Sequence, residues 1–250
     1  MTLFRAIPLL LIENEECIKT VNYKKKIYLG DPINIIKIYN DLGVDEIIIL
    51  DISNKNSINF KKLQEISSES FIPLTYGGGV STLKEVEKIL SLGFEKISFN
   101  NKIFEDLNFV ENVIKEFGSS SVSISFNIKK NFFGEDKIFI KKKNKYLDIK
   151  IDDYLSILNT LKPAEVIINF VDLEGTRKGY NKKLARSLRG KILTNVLVYG
   201  GAKDINDFIY LKNENFSGAV ASSIFSFVGL DQGVLINYFN STELELIHKN

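Results

Sequence analysis

Two hydrophobic rhythms take turns along this chain. Short runs rich in Ile, Val and Phe read as buried strands near 4–12, 46–51, 71–76, 95–100, 121–127, 164–170, 194–199 and 217–221. Between them, longer amphipathic stretches fit helices near 32–42, 59–69, 82–92, 106–117, 152–161, 182–189, 204–213 and 230–240. Strand followed by helix from end to end predicts an α/β protein, a (βα)8 TIM barrel filling one domain over 1–250, with its site at the carboxyl ends of the strands. A doubly wound open sheet is the other fold this pattern allows. The irregular stretch 129–147 alternates around Gly134 and predicts a hairpin over the mouth. Its lysines either attract an anionic substrate or guard a sheet edge.

The pattern also says nearly the same thing twice. Thr75-Tyr76-Gly77-Gly78-Gly79 closes one apolar run and Val198-Tyr199-Gly200-Gly201-Ala202 closes another, with Gly77 and Gly200 lying 123 residues apart. Asp45-Glu46 leads into a run ending at Asp51, and Ala164-Glu165 into one ending at Asp172. The echo predicts two duplicated half-barrels, near 1–118 and 119–250; its period is too long for a solenoid.

Composition narrows the function. With 44% hydrophobic residues and a net charge of +2, the chain reads as globular and carries no general attraction for nucleic acid or an anionic membrane. A single cysteine, Cys17, excludes an internal disulfide and a cysteine metal cluster, so no metal or cofactor is expected and a cytoplasmic setting fits best. The opening MTLFRAIPLLLIENEE lacks a small-residue cleavage pattern, and no run reaches the length of a membrane span.

Glycines after a strand and before a helix let backbone approach a ligand, and the helix amides beyond suit a phosphate. Gly78-Gly79 and Gly200-Gly201 stand at such places, and Asn100-Asn101 and Ser222-Ser223 follow at the ends of the next strands. Two matching cups predict a ligand with a phosphate at each end; tight βα turns alone would also explain the glycines. Arg5, Glu46, Lys96 and Glu165 stand at the opposite strand ends. They are either ordinary exposed charges at strand entry, the commoner case, or a neutral ring plugging the barrel floor. Acid and base groups at the catalytic ends are few. His248 is the only histidine and falls in a tail that can fray, which removes Ser/His and Cys/His schemes. Asp51, Asp172 and Glu174 are the best titratable candidates, though both aspartates could equally cap loops.

Taken together, Ile7-Pro8, Val21-Asn22, Gly30-Asp31-Pro32, Asp51-Ile52, the run Pro73 to Gly79, Phe117-Gly118-Ser119, the run Asp172 to Thr176, Gly179-Tyr180, Gly200-Gly201-Ala202 and the run Ala221 to Phe225 resemble the HisF family, the cyclase subunit of imidazole glycerol phosphate synthase. The resemblance covers essentially the whole chain. It implies a half-barrel-duplicated fold, a substrate with two phosphates, and a heterodimer with HisH, a glutaminase docked on the barrel floor whose ammonia crosses the core to the mouth. It also implies that Arg5, Glu46, Lys96 and Glu165 form the ammonia gate. Lys19 matches a lysine of the mobile loop after the first strand. Gly78, Gly79, Asn100, Asn101, Gly175, Thr176, Gly200, Gly201, Ser222 and Ser223 match substrate-binding positions.

The departures fall on the chemistry. The family's acid/base pair is two aspartates, and those positions hold Leu11 and Asn127. Glu174 stands where the family commonly has aspartate, and Tyr199 where a small serine precedes the second cup, which a tyrosine could narrow. General acid/base catalysis contributes about a hundred- to ten-thousand-fold per group, so loss of both should nearly abolish cyclisation. The leading expectation is a HisF-like paralogue that receives ammonia from a HisH-type glutaminase and delivers it to another reaction, such as acetamidino formation on a surface sugar. A working histidine-biosynthesis cyclase, a lyase using Asp51, Asp172 or Glu174, is the second. The third is a scaffold that only activates the glutaminase.

Overall fold

The computed structural model describes residues 3–21, 25–53, 57–229 and 233–249. In chain order its elements are β1 (Arg5–Glu13), β2 (Glu16–Val21), β3 (Lys25–Gly30), α1 (Pro32–Asp41), β4 (Ile47–Asp51), α2 (Phe60–Glu69), β5 (Leu74–Gly77), α3 (Leu83–Ser91), β6 (Lys96–Phe99), α4 (Lys102–Glu105) and α5 (Leu107–Phe117). There follow β7 (Val122–Lys130), β8 (Asp136–Ile140), β9 (Lys145–Tyr146), α6 (Ile151–Leu161), β10 (Glu165–Phe170), α7 (Lys182–Arg189), β11 (Asn195–Tyr199), α8 (Ile205–Asn213), β12 (Gly218–Ala221), α9 (Ser223–Ser226), β13 (Phe227–Val228), β14 (Gly233–Val234) and α10 (Ser241–His248).

Parallel strands β1, β4, β5, β6, β7, β10, β11 and β12 pair in that order, and β12 returns to β1. The sheet is therefore a closed barrel, the (βα)8 architecture read from the two rhythms. Its longest parallel seam runs from Glu165 opposite Ser123 to Phe170 opposite Ile128. Strand alternation sorts the side chains: Ile7, Leu9 and Leu11 point into the barrel with Ile48, Ile167, Leu197, Tyr199 and Val220. Ala6, Leu10 and Ile12 point outward into the larger core shared with the helices.

Local chemistry sets the helix starts. The Asp31 carboxylate accepts the amides of Ile33 and Asn34 ahead of Pro32 at the first helical position, and Thr82 with Glu85 forms a reciprocal capping box on α3.

The structure adds to two expectations and corrects a third. First, β2 and β3 form an antiparallel hairpin after β1, in a stretch to which the hydrophobic pattern assigns no strand; Asn22 lies outside the described residues. Second, the alternation around Gly134 does form an antiparallel hairpin, and its first arm is β7 itself, which extends to Lys130, turns at Gly134, and returns as β8 before the short β9. Third, the helix expected over 230–240 is absent from its described part, where 233–234 pair with Phe227 and Val228 and 235–240 are irregular. The last helix is α10, started by a capping box between Asn240 and Glu243. His248 consequently does not fray: its Nε2 lies 3.1 Å from Asp45 Oδ2, which also accepts the Ala6 amide.

Candidate active site

The floor of the barrel is built by the first inward position of four strands. Arg5 binds Glu46, Arg5 Nη2 donates to Glu165 Oε2 at 2.9 Å, and Lys96 Nζ donates to Glu46 at 2.8 Å and to Glu165 at 3.2 Å. Thr75 Oγ1 adds a bond to Glu46 at 2.9 Å. Both carboxylates are buried. The four charges thus close a ring in which every member touches two of opposite sign, the only arrangement in which burying them is tolerable. Desolvation alone would lower the Arg5 pKa, and the two carboxylates outweigh it, so the guanidinium is raised above its ordinary value. Of the two readings open to these residues, buried ring and exposed entry charges, the geometry is that of the ring. Around it, Leu3, Phe71 and Leu193 precede β1, β5 and β11 and are exposed, Phe71 at 90% and Leu193 at 78%.

The mouth lacks the paired carboxylates. Leu11 is buried in the apolar interior, and Asn127 joins a chain of amides across the top. Asn169 Nδ2 donates to Asn127 Oδ1 at 2.8 Å; Asn127 Nδ2 donates to Phe139 O at 3.2 Å and Asn100 Oδ1 at 3.4 Å; Asn100 Nδ2 donates to Ser125 Oγ at 2.9 Å. The three candidate replacement acids are already engaged. Asp51 accepts the Ser53 amide at 2.8 Å, a loop cap, and Asp172 accepts the Lys130 amide at 2.8 Å, tying the long β7 extension down. Glu174, fully buried, binds Lys19, accepts from Thr20 Oγ1 at 3.2 Å, and lies 3.5 Å from the Tyr199 hydroxyl.

That Lys19–Glu174 pair pins the β2–β3 hairpin over the barrel. Ile18 beside it inserts into the interior cluster with Leu11 and Tyr199. Gly175, at φ +74°, permits the close approach: a Cβ there would lie 2.8 Å from Thr20 O. Desolvation lowers the Lys19 pKa below the ordinary lysine value, with the attraction of Glu174 opposing it.

Both glycine cups exist as backbone features. Gly78 packs on β4, where a Cβ would meet Asp51 O at 2.6 Å, and Asn101 Oδ1 nearby is buried without a hydrogen bond among the described residues. Gly200 and Gly201, both at positive φ, press against Phe170 O and Gly179 O, where a Cβ would come within 2.5 and 2.4 Å. A pocket opens there, lined by Lys19, Gly175, Arg177, Gly200, Ser222 and Ser223 among others, with Tyr199 on its inner wall. Tyr199 lines this pocket, and open space remains beside it. Thr176 turns its hydroxyl to Leu173 O at 2.8 Å and is not part of the lining.

Sequence reasoning missed Asn169, Ile18 and Arg177. Asn169 was within reach of it, since Glu165, Ile167 and Asn169 share one face of β10. Ile18 and Arg177 carry no such signal. Among the described residues no helix is long and apolar enough to cross a membrane, and no cluster of three or more His, Cys, Asp or Glu is placed to hold a metal.

Comparison with known proteins agrees with this architecture. Residues 5–230 match the family described as histidine biosynthesis protein. The chain is 35% identical over 246 residues to a Pseudomonas aeruginosa protein named "Putative imidazole glycerol phosphate synthase subunit hisF2", covering 97% of this chain and 98% of that one. It is 33% identical over 244 residues to a Vibrio vulnificus protein named "Putative imidazole glycerol phosphate synthase subunit hisF3", covering 96% and 94%. It is 28% identical to the Alkaliphilus metalliredigens protein named imidazole glycerol phosphate synthase subunit HisF, covering 89% and 90%.

Proposed function

The chain belongs to the histidine biosynthesis protein family, among its HisF-type members, and from that premise we propose that it is the barrel subunit of a glutamine-dependent complex, passing ammonia from a HisH-type glutaminase to a reaction other than imidazole formation. The observation that carries this reading is the closed ring of Arg5, Glu46, Lys96 and Glu165 on the floor. A buried ion-pair network can commonly be exchanged for apolar residues at little or no cost in stability, so its presence supports a role beyond holding the fold. A small neutral molecule entering at the floor must pass this ring. The exposed Leu3, Phe71 and Leu193 around it supply an apolar collar suited to sealing that entrance against a partner.

The mouth argues against cyclisation by this chain. A general acid or base must hold a proton within reach of the substrate. Leu11 holds none, Asn127 does not titrate near neutral pH, and Asp51, Asp172 and Glu174 are bound to backbone or to Lys19. Uncharged amides in their place suit a solute that must leave as NH3 rather than be trapped as ammonium. In a cytoplasmic setting the acceptor would be a second enzyme's substrate, surface-sugar acetamidino formation being the specific candidate.

The test is reconstitution with the cognate glutaminase. Glutamine should be hydrolysed in the complex without turnover of the phosphoribulosyl ribotide; turnover within about tenfold of an ordinary HisF would sink the proposal, since loss of the acid/base pair should cost more than that. If the chain were only an activating scaffold, Arg5→Ala and Lys96→Met would leave ammonia delivery unchanged. The channel reading expects leakage or uncoupled hydrolysis from both.

A further inference from the structure

The whole chain carries a net charge of +2, but that charge is not spread evenly. Residues 129–147 hold seven lysines against two acids, +5 in one hairpin, so the rest of the chain together is −3. The turn of the same hairpin carries Phe132 and Phe133, 98% and 84% exposed, their rings edge to face with centroids 5.7 Å apart. Rings exposed this far add nothing to the core, and two adjacent ones form an apolar tip that water solvates poorly.

The turn that presents them is braced from within. Asn131 Oδ1 accepts the amides of Phe133 at 3.0 Å and Glu135 at 2.9 Å, and the Gly134 amide donates to Asn131 O at 3.0 Å. These amides need no water, which is the condition a lipid surface sets for any backbone that enters it. The two acids are answered as well: Asp136 lies 3.2 Å from Lys130 Nζ, and Glu135 3.6 Å from Lys137 Nζ. At the other end of β8, Lys141, Lys142, Lys143 and Lys145 are exposed where the chain turns into β9, with Lys143 3.6 Å from Glu105. The arm is fixed to the barrel by the Asp172 bond to the Lys130 amide and by the Tyr146 hydroxyl, which donates to Lys130 O at 2.8 Å.

Aromatic rings on a projecting tip, with lysines on both arms behind it, match the chemistry of an anionic bilayer: rings sink to the headgroup boundary and lysines meet the lipid phosphates. Single-stranded nucleic acid needs a groove that follows its backbone, and rings exposed this far line none. We propose that the β7–β8 hairpin docks this protein on an anionic lipid surface, with Phe132 and Phe133 inserted and the hairpin lysines facing the headgroups. Because β7 leaves the barrel at its mouth, docking turns the mouth toward the lipid. The proposal stands whether or not ammonia crosses the barrel, and its test uses the chain alone.

Co-sedimentation of the full chain with vesicles of equimolar phosphatidylglycerol and phosphatidylcholine tests it. The chain should pellet with these vesicles and stay in solution with phosphatidylcholine alone, and added salt should release it. The double variant Phe132→Ser, Phe133→Ser should bind at least about tenfold more weakly, with an unchanged melting temperature because both side chains are exposed. Lys142→Gln combined with Lys145→Gln should weaken binding several-fold at low salt. The chain has no tryptophan, so Phe132→Trp places a unique reporter at the tip. Its emission should shift to the blue, and acrylamide should quench it less, when the anionic vesicles are added. Failure to pellet overturns the proposal, and is the result expected if the tip is instead an anchor for a protein pocket. Equal binding to neutral vesicles, binding indifferent to the serine changes, or a tryptophan whose emission stays that of an indole in water overturns it too.

Discussion

Arg5 Nη2 lies 2.9 Å from Glu165 Oε2, a bond that ties the first strand of the barrel to the sixth across its floor. The two residues are 160 positions apart, and nothing but closure of the sheet could bring them together. Because Glu165 also accepts from Lys96, and Glu46 answers both cations, removing any one member leaves a buried charge short of its partner.

Glu165→Gln should therefore destabilise the chain by about 3–5 kcal/mol, the usual penalty for breaking a buried ion pair on one side. Urea denaturation followed by circular dichroism measures it. A loss below about 1 kcal/mol, the range of exposed pairs, would mean that the ring is wetter and looser than its geometry.

Lys19 and Glu174 offer a cleaner version of the same test, since both are almost wholly buried. Lys19→Met and Glu174→Gln should each cost about 3–5 kcal/mol. The double variant should cost much less than their sum, because no uncompensated charge then remains. Additive losses would show that the two act independently.

Gly201 sits at φ +111° with room for a Cβ only 2.4 Å from Gly179 O. Gly201→Ala should cost about 1–3 kcal/mol through backbone strain at that position. It should also weaken phosphate binding at the cup, whereas Gly134→Ala, at a turn with nothing within 4 Å, should leave binding intact. Thermal melts and phosphate titration of the two variants side by side decide it.

The collar predicts a separation of stability from association. Phe71→Ser and Leu193→Ser remove exposed side chains, so each should change stability by no more than about 0.5 kcal/mol. Affinity for the cognate glutaminase should fall by roughly tenfold or more if these are anchors of the docked face. Surface plasmon resonance with the two proteins measures this, and unchanged affinity would place the partner elsewhere.

Acid should loosen the start of α3. Desolvation would raise the Glu85 pKa, but hydrogen bonds from Ser81 and Thr82 prevail and hold it below the usual glutamate value. Its contribution is complete above the ordinary glutamate pKa and is lost as pH falls through the lower folded value. Glu85→Gln should lower stability at neutral pH and flatten that acid limb, which urea denaturation repeated across the acid range measures.

Much of this barrel was legible in one dimension because its signals are local. Strand runs, amphipathic helices and the glycines that end β5 and β11 each depend on a few consecutive residues, and the eight barrel strands fall where those runs predict. The misread helix is instructive: 233–240 has apolar content but no start signal, while Asn240 and Glu243 form the capping box that begins α10. The start of the last helix therefore lies 11 residues, about three turns, beyond the one that apolar content predicts.

What the chain determines by itself is therefore the alternation of strands and helices and the two glycine turns, because each is a matter of residue type and short spacing; that Leu11 and Asn127 replace a pair of carboxylates is what the resemblance to the HisF family implies, and closure of the sheet is seen only where β12 pairs with β1. What only the tertiary structure decided is the partnership of charges and the shape of the mouth. Whether Arg5 faces water or Glu165, and whether Lys19 waits for a ligand or is held by Glu174, depends on distances between residues more than 150 positions apart. Those distances are set by how the sheet closes and where the hairpin lands, and electrostatics in a buried site falls steeply with separation and solvent.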